Sequence, residues 1–204
     1  MDLREAFKRR AQIHIHNAIA LWGPDALGSP PSKSHPRYRE VKSAVHGTNY
    51  GASARTLAAN LGWTTKVAEE FQAKWFSLHP AIKEWHLRVE RDLQVSGAIR
   101  NAFGYRRVFF DRPESAFTHA LAWIPQSTVA LVTLRAANRI RRELPWAEIL
   151  LQVHDSLLLQ IPIGREDSVP KIVEAARVEV PYGGDPLVIP WSVKTSKESW
   201  GNTK

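Results

Sequence analysis

The chain has 204 residues, 44% of them hydrophobic and 24% charged, enough for one large domain or two small ones with a proper core. A net charge of +8 points to a polyanionic partner such as nucleic acid, although a ribosome-like or membrane surface would give the same number. The absence of cysteine excludes disulfides and cysteine–zinc sites, and no apolar run approaches the roughly 18–20 residues of a spanning helix. With no signal-peptide-like apolar stretch at the N-terminus either, a soluble cytoplasmic protein without a membrane partner is expected.

Leu3, Phe7, Ala11, Ile15, Ala18 and Leu21 recur at spacings near 3.6 and predict a helix over 2–22, stopped by Gly23-Pro24. His14 and His16 within it have no carboxylate nearby in sequence and are not read as metal ligands. Prolines make 24–36 a loop. A helix follows from 37 to about 50. At 100° per residue its Arg39, Lys42, His46 and Tyr50 fall within an arc of roughly 80°, with Gly47 and Gly51 leaving room for close approach. A core-facing stripe would be apolar; this one is a solvated basic face or a binding face.

Helices are predicted over 53–61 and 65–95, the second capped by Thr64 or Thr65 and interrupted at Pro80. Phe71, Trp75, Leu78, Ile82, Trp85 and Val89 mark its apolar face and read as packing. From Gly97 the pattern changes to a hairpin over 98–110 with Gly104 in the turn and exposed arginines. Residues 114–143 are helical again, kinked or started by Pro125. Two apolar runs, 149–153 and 157–161, then predict two buried strands around His154-Asp155-Ser156. A helix over 166–178 under an Asp167 or Ser168 cap, and a strand near 187–193, close the chain. The fold class is therefore α+β, with a helical region over 1–96 and an antiparallel sheet with packed helices over 97–204.

Asp155 stands at the tip of the predicted strand pair. An ionised carboxylate at the rim of an apolar sheet is costly unless it is paired or holds a metal. The plain alternative is a turn aspartate, since Asp favours turns.

Together, Lys42-x3-His46-Gly-x2-Tyr50-Gly51 and the later Gln152-Val-His154-Asp155 resemble the C-terminal part of family A DNA polymerases of phage type. Further stretches fall in register. Ala6-Phe7, Ile13-His14 and Trp22-Gly23 are similar to the segment between the family's two leading motifs, and Gly104-Tyr-Arg106-Arg107 to its glycine–arginine hairpin. Pro125-Gln126-Ser-Thr128 is similar to its glutamine-bearing helix, and Val188–Trp200 to its terminal strand and tail. The resemblance runs over essentially the whole chain.

What it implies is template-directed DNA synthesis, with 1–96 as a fingers-like region and 97–204 as a palm-like one. Lys42 with Arg37 or Arg39 would meet the triphosphate of an incoming dNTP, beside His46 and Tyr50. Gln126, His154, Arg106 and Arg107 would contact primer–template DNA, Gln126 at the minor-groove edge whose acceptors all base pairs share. Asp155 would be the catalytic carboxylate and hold Mg2+ in a two-metal scheme.

The chain also departs from the family's pattern. Tyr38 stands where an arginine is usual, four residues before the lysine, and His46 replaces a Phe or Tyr. Ser156 replaces the acidic residue that usually follows the palm aspartate. The first palm motif, Asp-x-Ser-x-x-Glu with the second metal aspartate, would lie about 20 residues upstream of Ala6, and Asp2-Leu3-Arg4-Glu5 does not match it. The resemblance thus covers about a third of a polymerase, whose activity would need upstream sequence or a complementary polypeptide. The alternatives are a non-catalytic basic nucleic-acid-binding fragment and a basic assembly protein.

Overall fold

The computed structural model describes Glu5, residues 12–184 and residues 186–203. Ala6-Phe7 and the first half of the helix expected over 2–22 thus lie outside the described residues. The chain divides into two compact units, Met1–Ala98 with Val108–Ala122 and Ile99–Arg107 with Trp123–Lys204.

The first unit is built of helices whose ends follow local chemistry. Helix α1 (Ile13–Trp22) stops at Gly23, which takes φ +100°. Helix α2 (Pro36–Asn49) starts on a proline, whose missing N–H would have had no partner in a first turn anyway. His35 Nδ1 caps α2 by accepting the Arg37 N–H at 3.2 Å. Ser53 caps α3 (Ala54–Leu61) and Thr64 caps α4 (Thr65–Leu78), each accepting an N–H three residues on. Pro80 does not merely interrupt the stretch 65–95. It starts a separate helix, α5 (Pro80–Ser96), with His79 between the two.

Leu21 of α1, Val41 and Ala44 of α2, Leu57 of α3 and Phe71 and Trp75 of α4 meet in one core, with Trp75 1% exposed. Burial of side chains this size contributes roughly 1.5–3 kcal/mol each before entropy is counted. That core fixes α2 on its inner side and leaves the outer side to solvent.

The hairpin β1 (Ala98–Arg100) and β2 (Arg106–Val108) joins the units in sequence, as does α6 (Pro113–Glu143). Pro125 neither starts nor ends α6; it sits inside a helix of 31 residues. In the second unit β3 (Glu148–Val153) pairs antiparallel with β4 (Ser156–Gln160), with a register shift between Ile149 and Leu151. Val132, Ala136 and Ile140 of α6 form a core on which Ala102, Phe103, Ile149, Leu157 and Leu159 pack.

The α+β class holds, but among the described residues the strands form three two-stranded sheets instead of one. The expectation of two buried strands around Asp155 fails: Leu150 is 53% and Leu151 45% exposed. An isolated hairpin has only one neighbouring layer to cover it.

The helix expected over 166–178 is a short 3-10 turn at Glu166–Ser168 followed by α7 (Val169–Ala175), and Ser168 makes no side-chain cap. Pro170 in its first turn sets the later start. The last strand is only Leu187–Val188 (β6), paired with Glu179–Val180 (β5) and followed closely by Pro190, which has no N–H for a ladder.

Candidate active site

In the first unit, α1 brings a fourth group to the face of α2 that carries Lys42, His46 and Tyr50. The His14 ring lies 5.6 Å from that of His46 and 6.0 Å, edge-on, from that of Tyr38; His46 lies 6.0 Å from Tyr50. Burial, then His46 and Lys42, hold the His14 imidazole below its usual range. Partial burial, then Lys42, does the same for His46, which still keeps an exposed surface. Both rings thus favour the neutral form beside a fixed cation. An added anion would reverse that preference, because it stabilises imidazolium and ammonium alike.

Two further polar features mark this side of α1. The His14 Nδ1 and the Asn17 amide are buried and find no hydrogen-bond partner among the described residues, an arrangement that costs roughly 1–3 kcal/mol per group. Lys42 and Arg39 are exposed, and among the described residues neither pairs with a carboxylate.

The two arginines of the sequence motif separate. Arg37 lies on the opposite side of α2, its guanidinium 5.7 Å from the Trp22 ring centre. It lines a different cleft of about 510 Å³ with Trp22, Glu40, Trp63 and Lys74. There the Trp63 indole N–H donates to Glu40 and the Lys74 ammonium to the Leu21 carbonyl. Tyr38, at the family's usual arginine position, faces His14.

The second unit gathers the other expected residues on one core. Asn101, 6% exposed, organises the β1–β2 turn: its Oδ1 accepts the Phe103 and Tyr105 N–H groups at 3.0 and 3.1 Å. Its Nδ2 donates to Ser127 Oγ at 3.1 Å, and the Ala102 N–H donates to Thr128 Oγ1 at 3.4 Å. The turn before Arg106 and Arg107 is thereby tied to α6 next to Gln126, and all three of those side chains are exposed. Gly104 has φ +83°, as the turn requires of it.

His154 and Asp155 form the two-residue link between β3 and β4. His154 takes φ +53°, which costs a non-glycine residue roughly 1 kcal/mol and is the conformation a two-residue hairpin turn requires. Ser156 Oγ donates to the Val153 carbonyl at 2.8 Å and closes the turn. Asp155 is exposed. Among the described residues it has no ion-pair partner, and no group of three or more His, Asp or Glu side chains assembles to hold a metal. One exposed carboxylate does not fit a two-metal site.

A further cleft of about 600 Å³ in the second unit is lined by Arg135, Arg139, Arg142 and Arg177. Its guanidiniums are engaged: Arg139 and Arg142 meet Glu143, Arg177 meets Glu174 and Glu179, and Arg135 stacks 4.0 Å from the Phe103 ring centre.

Sequence reasoning set aside one residue that belongs with the first site and passed over one that shapes the second. His14 carries a weak metal-ligand signal and a place in the stretch Ile13-His14 of the resemblance, but its distance from His46 along the chain hides their contact. Asn101 carried a local signal, an Asn three residues before the turn glycine. No helix among the described residues is long and apolar enough to cross a membrane.

The family model described as DNA polymerase family A matches residues 1–201. The thermostable DNA polymerase I of Thermus filiformis is 30% identical over 203 residues, covering 95% of this chain and 23% of the relative. The DNA polymerase of Mycobacterium phage D29 is 27% identical over 198 residues, covering 97% of this chain and 31% of the relative. Among solved structures, the POL domain of Pol1 from M. smegmatis, in complex with DNA primer-template and dNTP, superposes with a TM-score of 0.75 at 24% identity. That match covers 85% of this chain and 32% of the other. The chain therefore spans only about a quarter to a third of these relatives. A family match over nearly every residue, joined to an α+β fold of the same kind, settles the classification: the chain belongs to DNA polymerase family A.

Proposed function

We propose that the chain supplies the fingers, over 1–96, and half of the palm site, over 97–204, of a template-directed DNA polymerase. The observation that carries this reading is the assembly of His14, His46 and Tyr50 on one face beside the exposed Lys42 ammonium; Gly47 and Gly51, expected to leave room there, pack instead against Leu57 and against Phe117 and Leu121. Lys42 and Arg39 would take the triphosphate of a dNTP, and His14 and His46 would gain proton affinity as the polyanion arrives. Arg39 is preferred to Arg37 because Arg37 is turned to Trp22. Tyr50 would flank the sugar and base.

In the second unit Arg106 and Arg107 would follow the phosphates of the primer–template, and Gln126, held beside their hairpin, would test the minor groove. His154 would support the primer end. Asp155 offers only one of the carboxylates that a two-metal magnesium site needs. The second, in an Asp-x-Ser-x-x-Glu motif, must then come from sequence beyond these 204 residues, upstream or on a complementary polypeptide. The exposure of Leu150 and Leu151 supports a strand or layer packed there in the working assembly.

Primer extension tests this. The chain supplemented with a polypeptide bearing that motif should extend a primed template with magnesium, and Asp155→Ala should abolish the extension. Extension that survives Asp155→Ala contradicts the assignment. The incomplete carboxylate set also favours a second reading, a non-catalytic nucleic-acid binder. Under it, DNA binding falls steeply with salt as counterions are released, and no supplement restores synthesis.

A further inference from the structure

We infer that His86 is a positioning residue for the nucleotide face: with Trp75 it clamps the last residue of α2 and so fixes where Tyr50 stands. The inference rests on the nucleotide-binding reading above.

The carbonyls at the C-terminal end of a helix have no intrahelical partners and must be satisfied from outside. In α2 the backbone supplies most of them: the Tyr50, Ala52 and Gly51 N–H groups donate to His46, Gly47 and Thr48. The Asn49 carbonyl is taken by a side chain instead, His86 Nε2 at 2.9 Å. A carbonyl only accepts, so Nε2 carries the hydrogen. The Asn49 side chain is held as well, its Oδ1 accepting the Trp75 indole N–H at 2.8 Å. Gln72 Nε2 donates to the Ala52 carbonyl at 2.8 Å. Three donors from α4 and α5 thus grip residues 49–52, with Tyr50 in between.

The clamp is rigid because its parts are packed. Phe76, Trp85 and Phe117 surround the His86 ring with centres 5.6, 5.4 and 5.9 Å away. Phe117 in turn closes on Gly51: a Cβ there would stand 3.2 Å from Phe117 Cε1 and 2.9 Å from Leu121 Cδ1, at φ +79°. The end of α2 has no room to drift while these rings hold, and the hydrogen bond from His86 selects its position. A phenylalanine at 86 would fill the aromatic cage without donating; a glutamine could donate.

The test uses the full chain with His86→Phe and His86→Gln, read in two ways. Amide hydrogen exchange at Tyr50 and Gly51 should quicken by about tenfold or more in His86→Phe, with residues 41–45 unchanged, and return to within about threefold of the unaltered rate in His86→Gln. Affinity for dNTP should fall about tenfold in His86→Phe and recover in His86→Gln, with the thermal midpoint of His86→Phe little changed. Unchanged exchange at Tyr50 and Gly51 in His86→Phe overturns the clamp. Faster exchange with unchanged dNTP affinity overturns its role in positioning. An unaltered chain that binds no dNTP defeats the nucleotide-binding reading and the positioning role with it, while exchange alone then decides the clamp.

Discussion

The two units carry their motifs in opposite states of completion. On α2 the proposed nucleotide face is assembled from residues distant in sequence: His14 from α1 meets His46, Trp75 and His86 hold the helix end, and Phe71 and Trp75 pack behind it. On β3–β4 the Asp155 turn is formed, yet its strands expose Leu150 and Leu151, and among the described residues its carboxylate joins no metal-holding group. A motif can thus be recognisable as sequence in both places, while only one has its surroundings. What a binding face needs is a supported helix; what a two-metal site needs is a second carboxylate brought from elsewhere.

The contrast can be broken from either side. Trp75→Ala removes the largest fully buried side chain of the first unit and should cost about 3–5 kcal/mol, read by denaturant unfolding. Leu151→Ala, at an exposed strand position, should cost under about 1 kcal/mol in the same measurement. Equal losses would mean that the hairpin is as well supported as the helix. Next in size, Gly51→Ala must put a Cβ at φ +79° against Leu121 and Phe117 and should destabilise by roughly 1–2 kcal/mol.

The smallest effect is the pH dependence. His14, His46 and His86 all sit below the ordinary histidine value of 6.5 when folded. The unfolded chain therefore binds protons first as pH falls. Stability is complete above 6.5 and declines below it until the folded rings also protonate. A polyanion at Lys42 favours imidazolium, so triphosphate affinity should rise as pH is lowered toward and below 6.5, the reverse of the stability trend. A titration series at several pH values checks the sign. His14→Gln should flatten both slopes, and an affinity that falls on acidification contradicts the electrostatic account.

Much of this was legible in the sequence, for identifiable reasons. The boundaries of α2 and α3 follow from Pro36, Ser53 and Gly62, whose local chemistry acts without tertiary help. The resemblance over the two motifs led to the family. What could not be read were contacts that only folding creates. His14 meets His46 through the packing of α1 on α2, and Trp22 engages Arg37 on a side of the helix away from Lys42. The strands around Asp155 looked buried because apolar runs were taken to have a layer on each face. Leu150 and Leu151 show that among the described residues one face is bare. The final strand is short for a reason that is local in sequence: Pro190 has no N–H for the ladder.

The central claim is that α2 and α1 form a triphosphate-binding face by themselves, whatever completes the palm. Calorimetric titration of the full chain with a dNTP, without any complementing polypeptide, tests it most directly. The account predicts measurable binding by the unaltered chain, weakened about tenfold or more in Lys42→Ala and little changed in Lys74→Ala, whose ammonium faces the other cleft. Equal affinity in the unaltered chain and Lys42→Ala, or no binding at all, would contradict it.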